Sequence, residues 1–212
     1  MDDGVVRLAE QFVPLKVNME KEGADLAKMY EVTALPTVLF IDAEGAVWGK
    51  IVGYQRPEPF MDSMNGIIDL GKKYAVAMRT LRRKPNDGKA NAQVARIDAA
   101  IGRLLQAASA INRMEAAKYK GKDVAAAYNA VGKGYQTAGQ FDEAIKYFVK
   151  AEGAGKADKN AWDISYALIS IVDCYASIGD MDTAKKYALR LVNLKGGAKR
   201  YVDRARKFLG SG

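Results

Sequence analysis

Residues 32–45 of this chain read VTALPTVLFIDAEG, an apolar run that opens near a proline and closes on an Asp-x-x-Gly turn. Its β-branched and aromatic residues between Pro36 and Ile41 predict a buried strand. Residues 46–54 resume the apolar pattern after the turn, so we expect a β-hairpin. Residues 12–18 alternate as in another strand, and residues 24–30 have apolar positions at helical spacing. A further helix is predicted from Pro57 onward, with an apolar stripe that reaches Leu81.

This order of strand, helix, strand, turn, strand and helix, together with Pro36-Thr37, resembles the thioredoxin-like family over residues 5 to about 75. The resemblance implies a cis peptide bond before Pro36. It also implies that Leu35 and Pro36 border a groove for substrate polypeptide. The alternative is that Pro36 only begins a strand, where its missing N–H is harmless.

The family's first core strand and its Cys-x-x-Cys helix have no counterpart here, since Cys174 is the single cysteine. Thiol–disulfide exchange needs an attacking thiolate and a resolving thiol. The chain also contains no histidine, which argues against nucleophile–histidine catalysis and the usual zinc sites. We therefore assign no catalytic residue, no metal site and no cofactor.

The missing segment leaves two interpretations of the N-terminus. We favour a truncated or misassigned start, in which case the chain is a fragment of a thiol–disulfide oxidoreductase whose redox cysteines lie upstream of Met1. The alternative is a rearranged sheet. An incomplete sheet has unpaired edges, which offer a contact for an oligomer.

The second half of the chain has helical periodicity and an internal repeat. Residues 91–118 predict one long amphipathic helix, and residues 199–209 predict a terminal one. Between them, three pairs of residues lie 40 positions apart: Tyr135 and Tyr175, Gly139 and Gly179, Ala144 and Ala184. These pairs predict two helical hairpins, at about 125–157 and 165–195.

The spacing within each copy resembles the tetratricopeptide repeat, with a six-residue insertion expected in residues 153–160. A generic helical bundle is the alternative. The resemblance implies a concave groove that binds a protein or peptide. By family position, the groove residues are Asn129, Lys133, Gln136, Tyr166, Ile169 and Asp173.

Together these patterns predict an α+β chain. A partial thioredoxin-like βαββα domain (1–84) is followed by an all-α tetratricopeptide-like domain (91–212). In this form the chain is predicted to be a non-catalytic protein-interaction module. No apolar run approaches the roughly 18–20 residues that a membrane span needs. The start has no secretory signal, which favours a cytoplasmic location, or a periplasmic or exported one if the start is truncated.

The net charge also differs between the two parts of the chain. Residues 1–75 have a net charge of −4, whereas residues 76–212 have +12. Two basic clusters account for part of this excess: Arg79, Arg82, Arg83 and Lys84, and Lys199, Arg200, Arg204, Arg206 and Lys207. Nucleic-acid binding needs one basic face with stacking aromatics, and we favour solvated helix surfaces instead.

Overall fold

The computed structural model describes residues 2–210, which form ten helices and one two-stranded antiparallel sheet. The chain is thus α+β, with a predominantly helical second part. In order, the elements are α1 (Asp3–Ala9), α2 (Ala24–Met29), β1 (Thr37–Ile41), β2 (Val47–Val52), α3 (Pro57–Arg83), α4 (Gly88–Ala100), α5 (Leu104–Ala116), α6 (Val124–Thr137), α7 (Phe141–Ala157), α8 (Ala161–Ser177), α9 (Met181–Val192) and α10 (Lys199–Gly210).

The chain divides into two compact units, one that ends at Lys73 and one that begins at Tyr74. We call them the hairpin unit and the helical unit. The boundary falls inside α3, because its last third belongs with the helices. There Ala77 is buried in the helical core, and Tyr74, Met78 and Leu81 pack against that core.

The predicted β-hairpin is present. Thr37 pairs with Val52, and Leu39 pairs with Lys50. The turn between the strands is held by Asp42, whose Oδ1 accepts the backbone N–H groups of Glu44 (3.1 Å) and Ala46 (2.9 Å). Gly45 has φ +83°, a conformation that favours glycine. The Asp-x-x-Gly pattern therefore closes the turn that the sequence predicted.

Helix α3 covers one face of this sheet. Phe40, Ile51 and Met64 form its buried core. A Cβ on Gly49 would lie 2.7 Å from Ile67 Cδ1, so the glycine lets α3 approach the strand closely. The Leu35–Pro36 peptide bond is cis, the conformation that the sequence predicted.

The prediction of a strand at residues 12–18 is wrong. This segment has no strand partner in residues 2–210, and Val13 and Leu15 are 96% and 79% exposed. Alternation of side chains is not sufficient for a strand, because a strand also needs a neighbour for its backbone hydrogen bonds. The hairpin unit consequently has two short helices, the hairpin and α3, instead of the predicted βαββα order.

The single helix predicted at 91–118 is also wrong, because α4 and α5 occupy this region as an antiparallel pair. Gly102 has φ +79° and ends α4, and the Arg103 N–H donates to Asp98 O at 2.8 Å. Gly139 (φ +72°) and Gly179 (φ +86°) make the same reversal between α6 and α7 and between α8 and α9. The left-handed conformation at a helix C-terminus is one that glycine adopts without strain.

The three hairpins also bury equivalent positions. We count positions from the turn glycine of each hairpin, which is Gly102, Gly139 or Gly179. Eight residues before it, the buried residues are Val94, Val131 and Ile171. Five residues after it they are Ala107, Ala144 and Ala184, and nine residues after it they are Ile111, Phe148 and Ala188. Small residues at +5 let the two helices of each hairpin lie close together. The second and third hairpins are the two copies predicted from the sequence, whereas the first was not anticipated.

Two further features complete the helical unit. Helix α7 runs on to Ala157, so residues 153–160, where an insertion was expected, form the end of this helix and the turn that follows it. Helix α10, predicted at 199–209, packs Tyr201, Val202 and Ala205 against α8 and α9. It covers apolar surface that a last hairpin would otherwise expose.

Candidate functional site

The helical unit contains a pocket of about 550 Å³ between the first helices of the three hairpins, α4, α6 and α8. We call it the α4–α6–α8 groove. Its lining residues are Arg96, Ala99, Ala100, Gly102, Leu104, Ala126, Asn129, Ala130, Lys133, Gly134, Thr137, Ala138, Trp162, Asp163 and Tyr166. Alanine and glycine make up almost half of this set and form its floor.

Helix α6 lies close to the end of α4 and the start of α5 at this groove. A Cβ on Gly134 would lie 2.6 Å from Leu104 Cδ2 and 3.1 Å from the Ala99 carbonyl oxygen. Any larger residue at position 134 would push the helices apart or fill the groove. Small residues at these positions therefore allow the helices to pack closely and still leave a pocket between them.

One polar group of the floor lacks a partner. Asn129 is 5% exposed, and its Nδ2 donates to Asp163 O (3.1 Å) and Asp163 Oδ1 (3.3 Å). The backbone oxygen can only accept, so the orientation of the amide is fixed and its Oδ1 is left as an acceptor. Asn129 Oδ1 has no hydrogen-bond partner among the described residues. An unsatisfied buried acceptor costs about 1–3 kcal/mol.

The Asp163 carboxylate accepts hydrogen bonds from two asparagine side chains, Asn129 and Asn160. Asn160 Nδ2 donates to its Oδ2 at 2.6 Å, and its backbone N–H donates to Asn160 Oδ1 at 3.2 Å, which caps α8. Asp163 is 6% exposed, and burial raises the pKa of its carboxyl group above the usual value. The hydrogen bond from Asn129 and the charge of Arg96 act in the opposite direction on that pKa.

The exposed charges of the groove are cationic. Arg96 on α4 and Lys133 on α6 both line it with exposed side chains. Neither side chain has a carboxylate within ion-pair distance in the described part of the chain. Lys133 Nζ donates instead to Gln136 Oε1 at 3.2 Å.

An aromatic wall closes one end of the groove. Trp162 is 50% exposed and stacks parallel to Tyr166, with ring centroids 5.9 Å apart. Tyr201 of α10 meets both rings edge-on, and the Arg200 guanidinium lies over Trp162 at 5.2 Å. Trp162 thus keeps about half of its surface exposed while Tyr166, Tyr201 and Arg200 hold its ring in place.

Of the six groove residues predicted from the sequence, the structure brings three together in this pocket: Asn129, Lys133 and Tyr166. The other three lie outside it. Gln136 donates to Ser170 O and to Cys174 Sγ, both at 3.5 Å, and Asp173 pairs with Arg204 at 2.7 Å. Ile169 is 2% exposed and packs in the apolar cluster with α9 and α10.

Sequence reasoning missed Arg96, Trp162 and Asp163. Arg96 had a usable signal, because it precedes Gly102 by six residues as Lys133 precedes Gly139. That match depends on aligning α4–α5 as a third copy of the hairpin.

The groove predicted at Leu35 and Pro36 lies in the hairpin unit, where both residues are exposed. Thr37 Oγ1 donates to Ala34 O at 2.6 Å beside them. Within residues 2–210, no cluster of histidine, cysteine and carboxylate side chains could hold a metal ion. None of the helices in the described part of the chain combines the length and hydrophobicity of a membrane span.

Comparison with known proteins gives no relative: no family model matches this sequence, and no curated protein matches it. The thioredoxin-like and tetratricopeptide-like resemblances therefore depend on the residues quoted above.

Proposed function

We propose that this chain is a non-catalytic binding protein whose α4–α6–α8 groove holds an extended polypeptide segment. The observation that supports this most directly is Asn129, a lining residue of the pocket whose buried Oδ1 has no hydrogen-bond partner among the described residues. A polypeptide backbone supplies N–H donors at regular spacing, so it can satisfy such an acceptor whatever its side chains are.

The dimensions of the groove favour a polypeptide over a compact ligand. Its lining runs along α6 from Ala126 to Ala138, which corresponds to about 18 Å of helix at 1.5 Å per residue. An extended chain rises about 3.3 Å per residue, so about five residues match this length. The apolar floor and the exposed face of Trp162 suit apolar side chains in such a segment.

We also propose that the helical unit is a tetratricopeptide-like array and that the hairpin unit is related to the thioredoxin-like family. The shared glycine turns and the equivalent buried alanines of the three hairpins support the first assignment. The succession of α2, β1, β2 and α3 supports the second.

The state of Cys174 supports a non-catalytic role for the helical unit. This thiol is fully buried, and burial raises its pKa to about 11. The thiolate is the reactive form, so Cys174 is poorly suited to nucleophilic or disulfide chemistry.

The test is selection of short peptides from a random displayed library on the purified chain, followed by affinity measurements on two matched variants. Ala100 and Ala157 are both exposed, and each is the last residue of its helix, but only Ala100 lines the groove. We expect Ala100→Phe to weaken binding of the selected peptides at least about tenfold, which is 1.4 kcal/mol. Ala157→Phe should leave binding unchanged. Failure to select any peptide, or equal affinities for the two variants, would overturn the proposal.

A further inference from the structure

The groove has an asymmetric charge distribution that bears on which polypeptide it binds; this inference rests on the proposed function. Its two exposed charged residues, Arg96 and Lys133, are both cations. Asp163, the one acidic residue among the lining residues, is buried and already accepts from Asn129 and Asn160. A ligand that enters the groove therefore meets positive charge first.

The two cations occupy equivalent positions on neighbouring helices, each six residues before the glycine turn of its hairpin. Axes of packed helices lie about 8–10 Å apart. In an extended peptide, side chains two residues apart point to the same side and are separated by about 7 Å. The flexible ends of Arg96 and Lys133 can bridge the remaining difference, so alternate positions of a segment that crosses the groove from α6 to α4 can meet both cations.

The equivalent position on the third helix, α8, is acidic. Asp173 precedes Gly179 by six residues, and its carboxylate is paired with Arg204 at 2.7 Å. Among the residues that line the groove, the cations are therefore on α4 and α6, whereas Arg200 of α10 lies behind the lining, over Trp162.

We propose that the groove is selective for an internal acidic segment. Two side-chain carboxylates in alternate positions meet Lys133 and Arg96, and one backbone N–H donates to Asn129 Oδ1. An apolar side chain of the same segment lies against the exposed face of Trp162. Charge-assisted hydrogen bonds to Arg and Lys set the preference, and the apolar floor supplies contact area.

The Asn129 acceptor also distinguishes a peptide from a phosphate backbone. Phosphate oxygens accept hydrogen bonds and have no donor for Asn129 Oδ1. The phosphate groups of a nucleic acid would satisfy the two cations only, whereas an acidic peptide backbone and its carboxylates satisfy the buried acceptor and the cations together.

The experiment measures binding of two short labelled peptides to the full chain by fluorescence anisotropy. One has two glutamates in alternate positions flanked by valines, the other has glutamines there, and both are acetylated and amidated at their ends. We expect the glutamate peptide to bind at least about tenfold more tightly and to weaken as salt is added.

Charge-neutralising variants locate the effect. Arg96→Gln and Lys133→Gln should each lower affinity for the glutamate peptide about three- to tenfold and should leave the glutamine peptide unaffected. Lys89→Gln is the matched control, because Lys89 is an exposed cation of α4 that does not line the groove. A loss of affinity as large in Lys89→Gln would indicate a general charge effect and would overturn the inference.

The remaining outcomes separate the two proposals. Equal binding of the two peptides, with both blocked by Ala100→Phe, would overturn the acidic preference and leave peptide binding intact. Binding that requires a free C-terminal carboxylate would overturn the internal segment. Arg96-dependent binding of a short single-stranded DNA, with no binding of either peptide, would overturn both proposals.

Discussion

The hairpin unit and the helical unit differ in how much apolar surface they can cover with their own residues. Phe40, Ile51 and Met64 are the buried apolar residues of the hairpin unit in the described chain, whereas Val13, Leu15 and Tyr54 are among its many exposed ones. The helical unit instead has a core that continues through three hairpins into α10. Similar apolar content can therefore produce very different burial.

The difference follows from where each element finds its neighbours. A helix makes all its backbone hydrogen bonds internally, and each hairpin buries one face against the next hairpin in the chain. A two-stranded sheet has an unpaired edge on each strand and one face for α3, so it stays marginal without further strands. The helical unit is thus built from local contacts, and the hairpin unit lacks partners for its strands.

The largest expected effect is on the core of the helical unit. Phe148 is fully buried and lies against Gly132, where an added Cβ would come within 2.8 Å of the ring. Phe148→Ala should lower the free energy of unfolding of this unit by about 3–5 kcal/mol, because it leaves a cavity between α6 and α7. Urea denaturation followed by circular dichroism measures this change. The neighbouring Val149→Ala, on the exposed side of α7, should change stability by less than about 0.5 kcal/mol.

A second variant tests whether the hairpin unit is the less stable of the two. Met64 is 3% exposed and is one of the three buried apolar residues of that unit. Met64→Ala should destabilise it by about 2–5 kcal/mol, which exceeds what so small a core can tolerate. Hydrogen exchange should then become fast in β1 and β2 while amides from α4 to α10 keep their protection.

The control for that variant is Met29→Ala, since Met29 is 68% exposed. It should leave exchange unchanged. Equal acceleration of exchange in both units by Met64→Ala would contradict the distinction drawn between them.

The smallest effect concerns Cys174 in the helical core. Burial holds its pKa at about 11, above its ordinary value of 9.0, because the charged thiolate is disfavoured there. The unfolded chain therefore ionises first as pH rises, and the contribution of this thiol to stability is constant below pH 9 and falls between pH 9 and 11. Cys174→Ala should reduce the alkaline loss of stability, measured by urea midpoints across that range.

Alkylation by iodoacetamide gives an independent measurement on the same thiol. Native Cys174 should react far more slowly than the urea-unfolded chain. Ser177 is exposed on the same helix, so Ser177→Cys in a Cys174→Ala background supplies an accessible thiol for comparison. Similar rates for the two native thiols would show that Cys174 is not shielded.

The features predicted correctly from the sequence are those set by nearby residues. The Asp42–Gly45 turn, the glycine reversals at Gly139 and Gly179, and the long α3 each depend on residues within a few positions or on a clear helical period. Residues 12–18 failed because a strand depends on a neighbour that the pattern alone does not supply. The α4–α5 hairpin was missed because Asn91 and Asp98 occupy positions where the other copies have apolar or aromatic residues.

Those two polar residues are stabilised by partners that are distant in sequence. Asn91 accepts from Arg113 Nε at 2.9 Å, and the Tyr74 hydroxyl donates to Asp98 at 3.1 Å. For the candidate groove, family position in the tetratricopeptide resemblance pointed to Asn129 and Lys133, but the partners of Asn129 depend on how α6 packs against α8. The sequence likewise did not show that Ile169 packs in the apolar cluster with α9 and α10.

Gly102, Gly139 and Gly179 give the three hairpins the same left-handed turn, so a hairpin can serve as a repeatable module for protein engineering. Duplicating the α6–α7 module in frame should yield a longer array with the same turn and the same close contact between its helices. Each added module would add one helix to the set formed by α4, α6 and α8, so the number of these helices could be chosen by copy number without redesigning the core.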